Sequence, residues 1–117
     1  MWIFCNEVLT SPFGDQSDAV SGTRSYKYMP LPKGEYLIGE TFLVNPPEFQ
    51  KGAYKDQSGF AWFTRLHPAF STPRTGLGIH PDGNLPGTEG CIGLKNFDTS
   101  SVYSSLKNSR GQKLLVC

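Results

Sequence analysis

A chain of 117 residues has the size of one compact domain and leaves no room for a second core. Eleven basic and ten acidic side chains give a formal charge of +1 with no run of either sign, which excludes the electrostatic footprint of a nucleic-acid or anionic-membrane partner. Apolar residues at 38% together with 13 glycines exclude a disordered chain, and the 13% aromatic content with nine prolines favours strands and turns: a loop-rich, mainly β domain.

Met1–Cys5 is apolar but is followed at once by Asn6 and Glu7, and no apolar stretch is longer than a few residues. Neither a signal peptide nor a membrane-inserting helix is expected, so the chain is expected to fold in the cytoplasm, where it is made. Trp2-Ile3-Phe4-Cys5 reads as a first strand, and the polar stretch Asn6–Thr23, with Pro12, Gly14 and Gly22, as a loop with room for a turn or hairpin of its own. Arg24–Met29 reads as a strand and Pro30–Gly34 as turn punctuation. Glu35-Tyr36-Leu37-Ile38 and Thr41-Phe42-Leu43-Val44 carry β-branched and aromatic residues at strand length and are the firmest central strands. Asn45–Gly59 has no clear period and reads as a surface excursion.

Phe60–His67 alternates two sets, Phe60, Trp62, Thr64 and Leu66 against Ala61, Phe63, Arg65 and His67; either can be the buried face, and Trp62 and Phe63 are both expected in the core. Gly76–His80 is a short strand ending in histidine, Pro81–Gly90 a turn-rich loop, and Cys91–Leu94 a strand again. Asn96 or Asp98 caps a short helix with Val102 and Leu106 at i, i+4 and Phe97 packed beneath its start. Gly111 comes after that helix, and Lys113–Cys117 is a final strand.

The three cysteines and two histidines show no CxxC or HxxxH spacing, so neither a metal nor any other cofactor is expected. Cys5 and Cys117, near opposite termini, read as small core residues, the alternative being a terminal disulfide in an oxidising compartment. His80 and Cys91 flank one loop, eleven positions apart. Chemically they are a base and a nucleophile: a thiol of ordinary pKa is only a few per cent thiolate at neutral pH, and a nearby imidazole raises that fraction. Gly90 before the cysteine lets the backbone take the tight conformation that aims N–H groups at a developing oxyanion.

The segment Thr88-Glu89-Gly90-Cys91, preceded by His80 at a strand end, resembles the Ser/Thr-x-Gly-Cys signature of the L,D-transpeptidase catalytic domain of the YkuD type. Leu31-Pro32-Lys33-Gly34-Glu35-Tyr36-Leu37-Ile38 is similar to that family's P-x-P-x-G-x-Y-x-I strand opening. The stretch from Cys91 to the terminal apolar strand is similar to the family's sequence after its own cysteine, so the resemblance spans nearly the whole chain. The short form, with Phe63–Pro68 upstream of Gly78-Ile79-His80, most resembles the L,D-transpeptidase-like effectors that type VI secretion delivers into rival bacteria.

The resemblance implies a mainly β, sandwich-like fold of two packed or partly closed sheets. It further implies a peptidoglycan hydrolase and transferase acting on stem tetrapeptides through a Cys91 acyl-enzyme, with His80 as proton shuttle. Hydrolysis (L,D-carboxypeptidase action) and D-amino-acid exchange are the expected outcomes, in an antibacterial toxin exported to the target cell's periplasm, with an immunity protein and a secretion-apparatus component as implied partners. Thr88 and Gly90 belong to the oxyanion loop. The family's arginine two residues after the cysteine is Gly93 here, and its histidine before Gly-Cys is Glu89. Arg65 and Arg74 are the candidates to bind a substrate carboxylate instead, though each also reads as a solvated surface charge. His67 reads either as a structural histidine or as a substrate-binding residue, and Glu89 either as a loop acid or as a substrate contact. Tyr26, Tyr36 and Tyr54 are within range of a groove, and nothing in the sequence chooses among them. The alternative from another class is a catalytically silent peptidoglycan-binding or adaptor module with the same fold, which the Glu89 and Gly93 departures permit.

Overall fold

The computed structural model describes residues 1–22, 30–44, 54–83 and 91–117. Among the described residues, eight strands and one helix succeed one another in chain order: β1 (Trp2–Cys5), β2 (Val8–Thr10), β3 (Gln16–Ser21), β4 (Gly34–Leu43), β5 (Trp62–Pro68), β6 (Gly78–Pro81), β7 (Ile92–Leu94), α1 (Ser100–Lys107) and β8 (Lys113–Val116). The Arg24–Met29 strand expected from the sequence lies outside the described residues.

The mainly β class is as expected. Its arrangement is not a sandwich of two sheets: hydrogen bonding runs β1-β2-β3-β7-β6-β5-β4-β8 and back to β1, closing one barrel. β8 is the reason, since it pairs parallel with β1 and antiparallel with β4, so the two ends of the chain seal the seam and no edge is left to expose. The stretch expected as loop between Asn6 and Thr23 supplies two of the strands. β2 and β3 form a hairpin whose polar outward residues hide its strand character, with Leu9 and Ala19 its fully buried contributions.

Inward residues alternate with outward ones along each strand, as the pleat requires. On β5 the structure chooses the Trp62, Thr64 and Leu66 face for the interior, leaving Arg65 and His67 exposed and Phe63 half-buried on the outer surface. The two central strands expected at 35–38 and 41–44 are one strand, β4, bent by a bulge: Ile38 pairs with Leu66 and Thr41 with Thr64, three residues of advance against two. Gly39 occupies that bulge, where a Cβ would come within 2.6 Å of the His67 Nε2.

Helix α1 packs against β4 and β5 and sends Leu106 into the core. The N-cap is Thr99 rather than Asn96 or Asp98, Asp98 Oδ1 accepting from the Ser100 N–H (2.8 Å) just ahead of the first turn, while Phe97 is 64% exposed rather than packed beneath the helix start. Thr99 is otherwise engaged. Its hydroxyl accepts from Trp62 Nε1 (2.7 Å) and donates to Asp56 Oδ2 (2.7 Å). Asp56 is fully buried and also accepts from the Thr99 N–H, the Ser58 hydroxyl and the Phe60 N–H. Burial pushes this carboxyl up, but the hydrogen bonds outweigh burial and hold it below the usual carboxylate range.

Cys5 and Cys117 are joined by a disulfide with their Cα atoms 5.2 Å apart. This corrects their reading as small core residues. Cys5 is half-buried and Cys117 exposed, and the parallel pairing of Phe4 with Val116 delivers the next residue of each strand side by side. The bridge closes a span of 112 residues, for which chain entropy alone is worth about 5 kcal/mol. Replacing Cys5 by Ser should therefore lower the unfolding free energy by roughly 2–5 kcal/mol in urea melts, and a reductant should do the same to the wild-type protein. Melts that coincide with and without reductant would contradict the bridge.

Candidate active site

Strands β6 and β7 pair in parallel, Ile79 beside Ile92 and His80 beside Gly93. Ile79, Ile92 and Leu94 belong to the core cluster, so the alternate residues, His80, Gly78, Cys91 and Gly93, lie on the outer face of the barrel wall. One step back along the register sets Cys91 beside Gly78. Cys91 thus stands one strand over and two residues back from Gly93, the partner of His80, with its Sγ turned to the Gly76 carbonyl.

His80 is 6% exposed. Phe63, outward on β5, stacks parallel to its ring at 6.0 Å, and Tyr54 meets it edge-on at 4.7 Å. Tyr54 holds a left-handed φ of +68°, costly for an aromatic residue and sustained here by the packing around it. The ring's Nδ1 lies 2.7 Å from the Pro81 carbonyl, which only accepts, so Nδ1 carries the proton and Nε2 keeps its lone pair. Burial lowers the His80 pKa to about 4, against which the Pro81 hydrogen bond works. At neutral pH the imidazole is uncharged, with Nε2 able to take a proton.

Cys91 is 8% exposed, stands immediately before β7, and lies outside the disulfide. Its Sγ donates to the Gly76 carbonyl at 3.5 Å. Gly78 leaves no room for a side chain: a Cβ there would collide with the Phe63 ring and the Thr64 carbonyl. The wall beyond His80 is built by the same close approach. Gly83 donates its N–H to the Lys55 carbonyl (2.9 Å), and a Cβ on Gly83 would come within 2.7 Å of the Asp56–Gln57 backbone. Asp56 thereby ties the Tyr54–Phe60 segment to α1 on one side, while the chain leaving His80 rests on its backbone on the other.

Arg65 pairs with Gly78 across β5 and β6, which places Arg65, Gly78 and Cys91 on one row of the outer face. Its Nε donates to Glu40 Oε1 (2.9 Å), and its guanidinium lies over the Phe42 ring at 5.3 Å; both charges are half-exposed. Arg74 stands two residues from Gly76, and its Nη1 donates to the Pro30 carbonyl (2.7 Å). His67 is exposed one row beyond Arg65, over Gly39. Tyr36 is not a groove residue: it is fully buried in the core, where desolvation pushes its hydroxyl up to about 12. Thr88, Glu89 and Gly90, expected at the oxyanion loop and the substrate, lie outside the described residues, as does Tyr26. Of the three tyrosines expected within range of a groove, Tyr54 is the one that stands against His80, whereas sequence reasoning missed Phe63 as the other wall of that pocket and Asp56 as their anchor. The alternation of Phe63 with Trp62 was the one available signal. Among the described residues no group of three or more His, Cys, Asp or Glu side chains is placed to hold a metal ion, and no helix is long and apolar enough to cross a membrane.

The buried imidazole has a consequence for folding. The unfolded chain takes up a proton near pH 6.5 and the folded chain only near 4, so the stabilisation is complete above 6.5 and is lost as pH falls towards 4. That difference amounts to roughly 3 kcal/mol. Thermal melts from pH 7 to pH 4 should show the wild-type protein losing more stability than a His80→Gln variant over this window, and equal losses would contradict a buried neutral imidazole.

No family model, no curated protein and no solved structure matches the chain, so these comparisons indicate no family.

Proposed function

We propose that the protein is a cysteine-dependent, peptidoglycan-modifying enzyme similar to the L,D-transpeptidases of the YkuD type, acting on stem tetrapeptides as an L,D-carboxypeptidase and D-amino-acid exchanger. The observation that carries the reading is the β6–β7 pairing, which sets a buried, neutral imidazole on one strand beside the strand that Cys91 opens. In this reading Nε2 of His80 takes the Cys91 proton as the sulfur attacks the carbonyl of the stem's third, L-centred residue. The tetrahedral intermediate collapses with cleavage of the C–N bond, His80 returns the proton to the departing D-alanine amine, and a thioester remains on Cys91. Water or the amine of a free D-amino acid then attacks the thioester, His80 again taking and returning the proton.

Arg65, on the row of Cys91 two strand spacings away, about 10 Å, is the cation suited to hold a substrate carboxylate in place of the arginine that Gly93 lacks, at the expense of its bond to Glu40. The reading takes the barrel as a closed form of the two-sheet L,D-transpeptidase-like arrangement, its short helix coming after the cysteine. It also makes the protein an antibacterial secreted effector that acts in the target periplasm. The terminal disulfide agrees with that, since disulfides persist in oxidising compartments such as the periplasm. Cross-linking two stems needs a second groove for an acceptor stem, whereas water or a free amino acid needs only access to the thioester.

Digestion of purified sacculi tests the reading. Tripeptide stems should accumulate, and added D-methionine should convert them to D-methionine-bearing tetrapeptides. Cys91→Ala should abolish both products, His80→Ala should slow them by roughly 10²–10⁴-fold, and Cys5→Ser should retain them. Processing that survives Cys91→Ala would overturn the mechanism, and 3–3 cross-linked dimers as the main product would overturn the choice of acceptor.

A further inference from the structure

At the far end of β7 from Cys91 a groove of about 600 Å³ runs between the start of β3 and the turn after β7. The groove is shallow, open to solvent and lined mainly by polar groups. Gln16, Ser17 and Asp18 form one wall, and Asn96, Phe97 and Asp98 the other. The walls are fixed to each other: the Lys95 N–H donates to the Asp18 carbonyl (2.9 Å), and Asn96 Nδ2 donates to Ser17 Oγ (3.4 Å). Phe97 is 64% exposed although its backbone is held, its carbonyl accepting from the Ser58 N–H (3.2 Å), so its exposure belongs to the fold.

We propose that this groove is a saccharide subsite, with Phe97 as the platform for the apolar face of an N-acetylated pyranose. The inference rests on the peptidoglycan reading of Cys91 and names the part of that substrate the groove takes. Two amides, a hydroxyl and two carboxylates supply mixed donors and acceptors suited to sugar hydroxyls and an acetamido group. Asp18 and Asp98 outnumber Lys95, which disfavours a carboxylate or phosphate ligand. A peptide would bind best by adding to a free strand edge, but β2, β3 and β7 are paired on both sides within the barrel.

The spacing also fits. From Cys91 to Lys95 is four residues of nearly extended chain, roughly 13 Å. An extended stem runs roughly 10–13 Å from its third carbonyl back to the lactyl group that joins it to the sugar. Cys91, Gly93 and Lys95 succeed one another on the outer face at alternate positions, and Gly93, where the family has arginine, puts no side chain on that line.

The test uses the full chain. Cys91→Ala protein is titrated with the N-acetylglucosamine–N-acetylmuramic acid disaccharide, free of peptide and with its lactyl carboxyl capped as an amide, while backbone amide shifts are followed; shifts concentrated at residues 16–18 and 95–98 support the subsite, and their absence at sugar concentrations well above the KM for the disaccharide-tetrapeptide overturns it whether or not the enzyme is active. In a second arm, wild-type protein is compared on disaccharide-tetrapeptide and on free tetrapeptide. The sugar should lower KM by about tenfold, the effect of a ring-stacking contact with its neighbours, and Phe97→Ala should remove that preference, with Asn96→Ala reducing it. Equal KM values for the two substrates overturn the subsite while leaving the peptidoglycan reading intact. Failure to process either substrate defeats the peptidoglycan reading, and the titration then decides the groove separately.

Discussion

The parallel pairing of β6 with β7 is the constraint on which the rest of the site depends. Antiparallel neighbours are joined by a tight turn, but a parallel pair obliges the chain to return to the same end before it can pair. Here His80 stands within β6 and Cys91 immediately before β7. Ile79 beside Ile92 fixes the inward face, so His80 and its partner Gly93 take the outward one, with Cys91 immediately before that strand. A slip of one residue would turn the His80 imidazole towards the core.

The outward face of a small barrel is normally wet, and an imidazole there would titrate near its ordinary value. Phe63 and Tyr54 change this by covering His80, and the Pro81 carbonyl fixes which nitrogen holds the proton. That cover is itself supported from beneath. Asp56, buried with a full set of hydrogen bonds to Ser58, Phe60 and Thr99, anchors the segment that begins with Tyr54 and locks it to α1 through the Trp62–Thr99 contact. The helix, remote in sequence from the histidine, is thus part of what keeps the histidine neutral.

Much of this was legible in the sequence. The strand at 62–68 announces itself by alternation and the helix by Val102 and Leu106, while the histidine and the Gly-Cys pair around one loop are what nominate the candidate site. The hairpin of β2 and β3 was legible only as room for a hairpin between Asn6 and Thr23, without its strands, because Gln16–Ser21 carries a single small apolar residue to the core and spends its strand character on hydrogen bonds to β2 and β7, which local propensity does not register. Barrel closure was hidden for a similar reason: it depends on β8 bridging β1 and β4 over more than a hundred residues of chain, and the disulfide depends on that same pairing. Asp56 reads in sequence as one more polar loop residue. Only the three-dimensional convergence of Ser58, Phe60 and Thr99 makes it a buried anion.

The central claim is that Cys91 becomes acylated by the stem. Acid-quenched mixtures of the protein and a tetrapeptide stem, read by intact-protein mass spectrometry and mapped by proteolysis, test it most directly. The account predicts an adduct of the tripeptide acyl mass on the fragment containing Cys91, formed as D-alanine is released and discharged by a free D-amino acid. Release of D-alanine with no adduct, or with the adduct on another residue, would contradict it.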